Sequence, residues 1–151
     1  MEKTEKFYME RALELARKGE IKGEVPVGAV LVHKKKIAGE GYNRVITDSN
    51  PTAHAEIIAL EQGGDKLDNY RLNGAVLYVT LEPCIMCYTA AVNARVKKIV
   101  YSADDPKTGI FSTGAFNKIN KIFNHKIEIE SGILKEESSK LLKNFFKKKR
   151  K

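Results

Sequence analysis

AVLYVTLEPCIMCYTAAVNARV, residues 75–96, decides the fold. Residues 75–81 form a near-continuous apolar run of the length of a buried strand. Residues 82–96 follow as a helix, with Pro83 suited to its first turn. KKIVYSA, residues 97–103, returns as another strand. Upstream, VGAVLVH (27–33) and KIAGEGYN (36–43) read as two strands joined by a lysine-rich turn, a hairpin. A hairpin followed by alternating strands and helices predicts a mixed sheet sandwiched by helices.

The flanking segments fit that plan. Residues 5–19 carry an apolar stripe of Tyr8, Met9, Ala12, Leu13, Leu15 and Ala16, and Gly19 is expected to stop that helix. Thr52 is suited to cap a helix over 53–62, closed by Gly63 and Gly64. After a Gly/Pro/Asp-rich loop at 104–114 come a short helix over 115–123, a fifth strand over 125–132 and a last helix from 135 to about 146.

A chain of 151 residues with 42% hydrophobic and 30% charged residues reads as one ordinary globular domain. The start, MEKTEKFYME, lacks the apolar core of a signal peptide, and no apolar run reaches the ~18 residues of a membrane span. A cytoplasmic protein without a membrane partner is expected. The net charge is +8, and residues 135–151 hold eight basic and two acidic residues, a net of +6. That tail is either a solvated helix end or a patch that meets phosphates.

Cys84 and Cys87 are the only cysteines, too few for a disulfide framework. Three apart at a helix start, they share one face. With His54 they make three ligands for a borderline-soft tetrahedral ion, the number typical of a catalytic zinc site with one open position. Glu56, two residues from His54, then reads as general base and acid beside a metal-activated water rather than as a fourth ligand. A redox-active Cys-x-x-Cys is the rival reading, but it gives His54 and Glu56 no role. Zinc with four protein ligands is another, yet His33 and His125 both fall at ordinary surface or loop positions. Cys and His favour zinc, although iron occupies similar sites.

The joint pattern, HAE followed by PCIMC with 26 residues between Glu56 and Pro83, matches the signature of zinc-dependent nucleobase deaminases. Beyond it, VPVGAVLV, GYNR, PTAHAEI, NYRL, LYVTLEPCIMC, DPKTG and NFFKKKR resemble the bacterial tRNA-specific adenosine deaminase family, in that order and spacing. The resemblance implies a cytidine-deaminase-like three-layer α/β/α sandwich with a mixed five-stranded sheet, spanning residues 1–151 as a single domain with a basic C-terminal helix over about 135–151. It implies a homodimer that converts adenosine to inosine at the wobble position of a tRNA, an arginine tRNA being expected. It makes His54, Cys84 and Cys87 ligands of one Zn2+ per subunit and Glu56 the proton shuttle. Asn43 would hydrogen-bond the base, Val27 and Pro26 would line its pocket, and Asp105 and Lys107 would meet anticodon nucleotides.

Two departures accompany the match. Tyr88 and Thr89 stand where the family often has small residues, and Asn50 where an aspartate is common. Two other functions compete: deamination of a free base, guanine above all, and an inactive zinc fold that only binds RNA.

Overall fold

The computed structural model describes residues 3–150, so Met1, Glu2 and Lys151 of the expected domain lie outside the description. Five strands form one sheet: β1 (Gly28–His33), β2 (Lys36–Tyr42), β3 (Val76–Leu81), β4 (Lys98–Ala103) and β5 (Glu128–Ser131), in the order β2-β1-β3-β4-β5. β1 runs antiparallel to β2 and β3, while β3, β4 and β5 run parallel. The expected mixed sheet is the observed one. Its hairpin is tight: Lys34 and Lys35 both take positive φ, 50° and 65°, as a two-residue turn between twisted strands requires.

Helices cover both faces. α1 (Glu5–Ile21) lays Tyr8, Met9, Ala12 and Leu15 on Val30, Val32, Tyr78 and Val100. α5 (Lys135–Lys149) shares that side, where the Ser138 hydroxyl donates to Ser102 Oγ at 2.8 Å. α2 (Ala55–Leu67) and α3 (Ile85–Asn93) pack on the opposite side with Ala29, Leu31, Leu77, Val79 and Ile99. Alternate residues of one strand thus feed two cores. α4 (Ala115–Ile119) and a single 3-10 turn connect to β5.

Glycine lets the layers approach. A Cβ on Gly28 would strike the α1 backbone at Ala12, and one on Gly39 or Gly41 would strike α2 at Ala59 or Ala55. β2 is an edge strand, a template for unwanted pairing if left open. α2 closes part of that edge: Gln62 Oε1 accepts from the Glu40 N–H at 3.0 Å, and Lys66 donates to the Ile37 carbonyl at 3.1 Å.

Several element ends differ from the sequence reading. α1 passes through Gly19 and stops at Gly23 (φ 85°), where the Glu24 N–H bonds the Gly19 carbonyl and the Gly23 N–H that of Glu20. Thr52 caps nothing, because its hydroxyl donates to Asn50 Oδ1 at 2.8 Å; His54 is the N-cap of α2. Gly63 and Gly64 do not end α2. The helix runs on to Leu67 because Gly63 is a packing position, its missing Cβ occupied by the Leu31 side chain. Pro83 lies before α3 rather than in its first turn, since Cys84 is held extended in a bridge to Gly109. That helix also ends at Asn93, short of Val96, where Arg95 turns left-handed (φ 62°). β5 covers only half of its expected span, and α5 extends three residues further than expected.

Candidate active site

The C-terminal ends of β2 and β3 meet the N-termini of α2 and α3 at one end of the sheet, where open α/β sheets place ligands. His54 and Glu56 lie two residues apart, which within a helix would turn them to opposite sides. They avoid this because His54 is the extended N-cap (φ −77°, ψ 154°) and only Glu56 is helical. Asn43 fixes the junction, its Oδ1 accepting from the Ala55 N–H at 2.8 Å. Cys84 is likewise the extended N-cap of α3, and Cys87 lies in its first turn.

His54 Nδ1 is 3.7 Å from Cys84 Sγ and 3.4 Å from Cys87 Sγ, and the three ligand atoms all lie within 4.8 Å of one another. A tetrahedral ion with the usual Zn–N and Zn–S bond lengths separates its N and S ligands by about 3.6 Å. The spacing and the donor set fit zinc. The Cys84 thiol is lowered to about 4, first by its hydrogen bond with Cys87, while burial opposes the shift and His54 reinforces it. The same hydrogen bond and burial raise Cys87. Contact with Cys84 raises His54 despite burial. Glu56 is buried, and burial pushes its carboxyl up to about 7, with Cys84 adding to the rise and His54 opposing it. A carboxyl poised there can take or give a proton near neutral pH.

A cavity of about 330 Å³ opens beside this group, lined by Val27, Asn43, Val45, Ile46, Leu81 and Thr108 among others. Val27, Asn43, His54, Glu56, Cys84 and Asp105 of the expected residues border it; Pro26, Lys107 and the buried Cys87 do not. Pro26 is the apex of a γ-turn, with the Val27 N–H on the Val25 carbonyl at 2.9 Å, so the flanking valines face the cavity and the proline is turned away. Lys107 is exposed; its N–H and the N–H and hydroxyl of Thr108 donate to Asp105, closing a local turn.

Two buried glutamates at the cavity were missed by the sequence reading. Glu24, 1% exposed, accepts from the Ile46 N–H at 3.1 Å and from the Thr47 N–H and hydroxyl, both at 2.6 Å. Burial raises its carboxyl, but these bonds prevail and hold it below the ordinary value. Glu82 is 3% exposed and faces the other wall. The only signal in sequence was each charge beside an apolar stretch, in GEVPV (23–27) and TLEPC (80–84), a pattern that surface residues share. Tyr88, the bulky departure on α3, is buried and meets Phe111, Phe116 and Phe123 edge-on at 5.7, 5.6 and 5.3 Å between centroids. It therefore packs away in an aromatic cluster.

The fold and the His/Cys/Cys group beside a buried glutamate define a deaminase. The chain matches the model of the MafB19-like deaminase family over residues 3–150 and belongs to that family. Within it, the chain is 50% identical over 143 residues to the tRNA-specific adenosine deaminase of Haemophilus influenzae, covering 94% of this chain and 83% of that one. A solved structure from a study of A-to-I editing by tRNA:A34 deaminases at the wobble position superposes with a TM-score of 0.86 at 39% identity, over 89% of this chain and 98% of that one. A guanine deaminase from Nitrosomonas europaea has a TM-score of 0.80 over 94% of this chain and 84% of that one, but at 24% identity this shows the fold alone.

Proposed function

We propose that this chain hydrolytically deaminates adenosine to inosine at the wobble position of a tRNA, an arginine tRNA being the first candidate. The observation that carries the reading is the His54–Cys84–Cys87 triad beside buried Glu56 at the mouth of one cavity, in a chain 50% identical to a tRNA-specific adenosine deaminase. His54, Cys84 and Cys87 would hold one Zn2+, which when bound supplies a Lewis acid that lowers the pKa of water. Glu56 takes one proton from the attacking water and gives it to the ring nitrogen, then carries the second, from the new hydroxyl on C6, to the amino group, which leaves as ammonia when the C6–N bond breaks. Asn43 spends its carbonyl oxygen on the Ala55 N–H, which turns its amide N–H groups toward an acceptor on the base. Val27 supplies an apolar wall, and Asp105, which also borders the cavity, would meet the flanking nucleotides.

The polynucleotide substrate is supported by α5 and the residue after it: Lys140, Lys143, Lys147, Lys148 and Arg150 are all exposed. An anticodon loop suits the site because its bases are already splayed from the stack. A cytoplasmic location accords with a tRNA substrate, and no described helix is long and apolar enough to cross a membrane. A homodimer accords with exposed Ile85 and Ile122 (50% and 76%) on and near the metal-binding helix. The test is nucleoside analysis after incubation with a transcribed arginine tRNA carrying wobble adenosine, with free adenosine and guanine in parallel. Inosine in the tRNA alone is expected; consumption of guanine without inosine in the tRNA would overturn the substrate.

A further inference from the structure

The loop of residues 104–114 hangs from a side chain on another element. Glu82, directly after β3, accepts hydrogen bonds from the N–H groups of Asp105 (2.9 Å), Phe111 (2.8 Å) and Ser112 (2.8 Å), and from the Ser112 hydroxyl. All four partners donate, so only a group that accepts on both oxygens satisfies them. Gly109 closes the loop around this carboxylate so tightly that a Cβ there would strike it. Two backbone contacts complete the clasp: Cys84 bridges Gly109, and the Ile110 N–H donates to the Pro83 carbonyl at 3.0 Å. The segment 82–84 therefore delivers a metal ligand at one end and anchors the loop at the other. Glu82, Cys84, Asp105 and Thr108 all border the same cavity.

We propose that Glu82 is a positioning residue for the substrate: it gathers the 105–112 loop against the metal-binding segment, so that Asp105 and Thr108 form a fixed wall of the base pocket. The inference rests on the proposed function for its substrate, but its structural half stands independently. Glu82 holds no reacting atom. Its loss should loosen the wall while leaving the triad of His54, Cys84 and Cys87 in place, because none of those side chains bonds to it.

The test uses Glu82→Gln, which keeps the shape but turns an amide NH2 toward N–H donors, and Gly109→Ala, which presses a methyl on the carboxylate. Zinc content, amide hydrogen exchange and steady-state kinetics on an anticodon stem-loop are measured for each. Unchanged zinc, faster exchange confined to 105–112 and a KM raised about tenfold with a smaller change in kcat are expected, since what is lost is binding geometry. The double variant Glu82→Ala/Gly109→Ala should be no worse than Glu82→Ala alone, because the methyl then meets no carboxylate. Wild-type exchange in the loop, or an unchanged KM, would overturn the proposal. So would loss of zinc or exchange that rises evenly along the chain, which would make Glu82 a general stabilising residue. If the unaltered protein produced no inosine, the substrate reading would fail, while the exchange pattern would still decide the role of Glu82 in the loop.

Discussion

Glu56 is a buried carboxyl that has no need to exist for packing. It lies in the first turn of α2, where the helix N-terminus favours its anion, yet burial still raises it to about 7. Such an acid is costly to bury and useful to a proton transfer. Glu56→Ala should lower kcat by about 10²- to 10⁴-fold, the usual worth of a general base. Zinc bound per chain should not change, because the three ligands stay. Near-normal turnover in a zinc-loaded Glu56→Ala protein would show that the proton travels by another group. The cluster of His54, Cys84 and Cys87 was legible in the sequence because a tetrahedral metal site calls for these residue types at this spacing. Glu24 and Glu82 were not, since a carboxylate gathering backbone N–H groups from a distant loop leaves no local pattern. Pro26 shows the same limit from the other side: adjacency to Val27 in sequence does not put both on one wall when a γ-turn intervenes.

Among the elements, the strands and helices were readable and their ends were not. Periodicity announces a helix, but its stop depends on which glycine turns left-handed and which one merely makes room. Gly19 and Gly63 make room, against Tyr42 and Leu31, and Gly23 turns. Directly beyond that turn, Glu24 ties the end of α1 to the segment 46–47, whose Ile46 borders the cavity. Hydrogen bonds to a buried charge are worth about 1.5–3 kcal/mol each, so Glu24→Gln should measurably lower the melting temperature at neutral pH. The pH dependence has a definite sign. The folded-state carboxyl lies below its ordinary 4.5, so on acidification the unfolded chain takes the proton first. The stability that Glu24 contributes is fully present above 4.5 and is lost as pH falls through the folded-state value. Melting curves of wild type and Glu24→Gln should therefore converge in acid; a gap that stays constant down to pH ~3 would assign the effect to packing instead.

The whole molecule divides its work between a pocket lined by carboxyl groups and a basic exterior. Of the net +8, residues 135–151 carry +6, and α5, anchored by Phe145 and by Ser138, holds six of the eight cations. Only Lys135 among the α5 cations forms an ion pair in the described residues, with Asp104 at 2.9 Å. Lys149 lies over the Phe145 ring at 5.6 Å, the others form no ion pair among the described residues, and Phe146, 45% exposed, offers a ring among them. A solvated helix end and an RNA-binding face look alike in a sequence, and geometry alone leaves them alike; salt dependence separates them. Each phosphate neutralised on a single strand contributes about −0.7 to the slope of log affinity against log salt. Lys143→Ala/Lys147→Ala/Lys148→Ala should weaken binding of the anticodon stem-loop and flatten that slope by up to about 2. The chemical step at saturating substrate should remain near that of wild type, since these lysines lie outside the cavity. An unchanged slope with an unchanged affinity would mean that α5 serves solubility and that tRNA is held by another face. A slope reduced with affinity lost in proportion would make the last helix the electrostatic grip that brings a splayed anticodon base to the pocket.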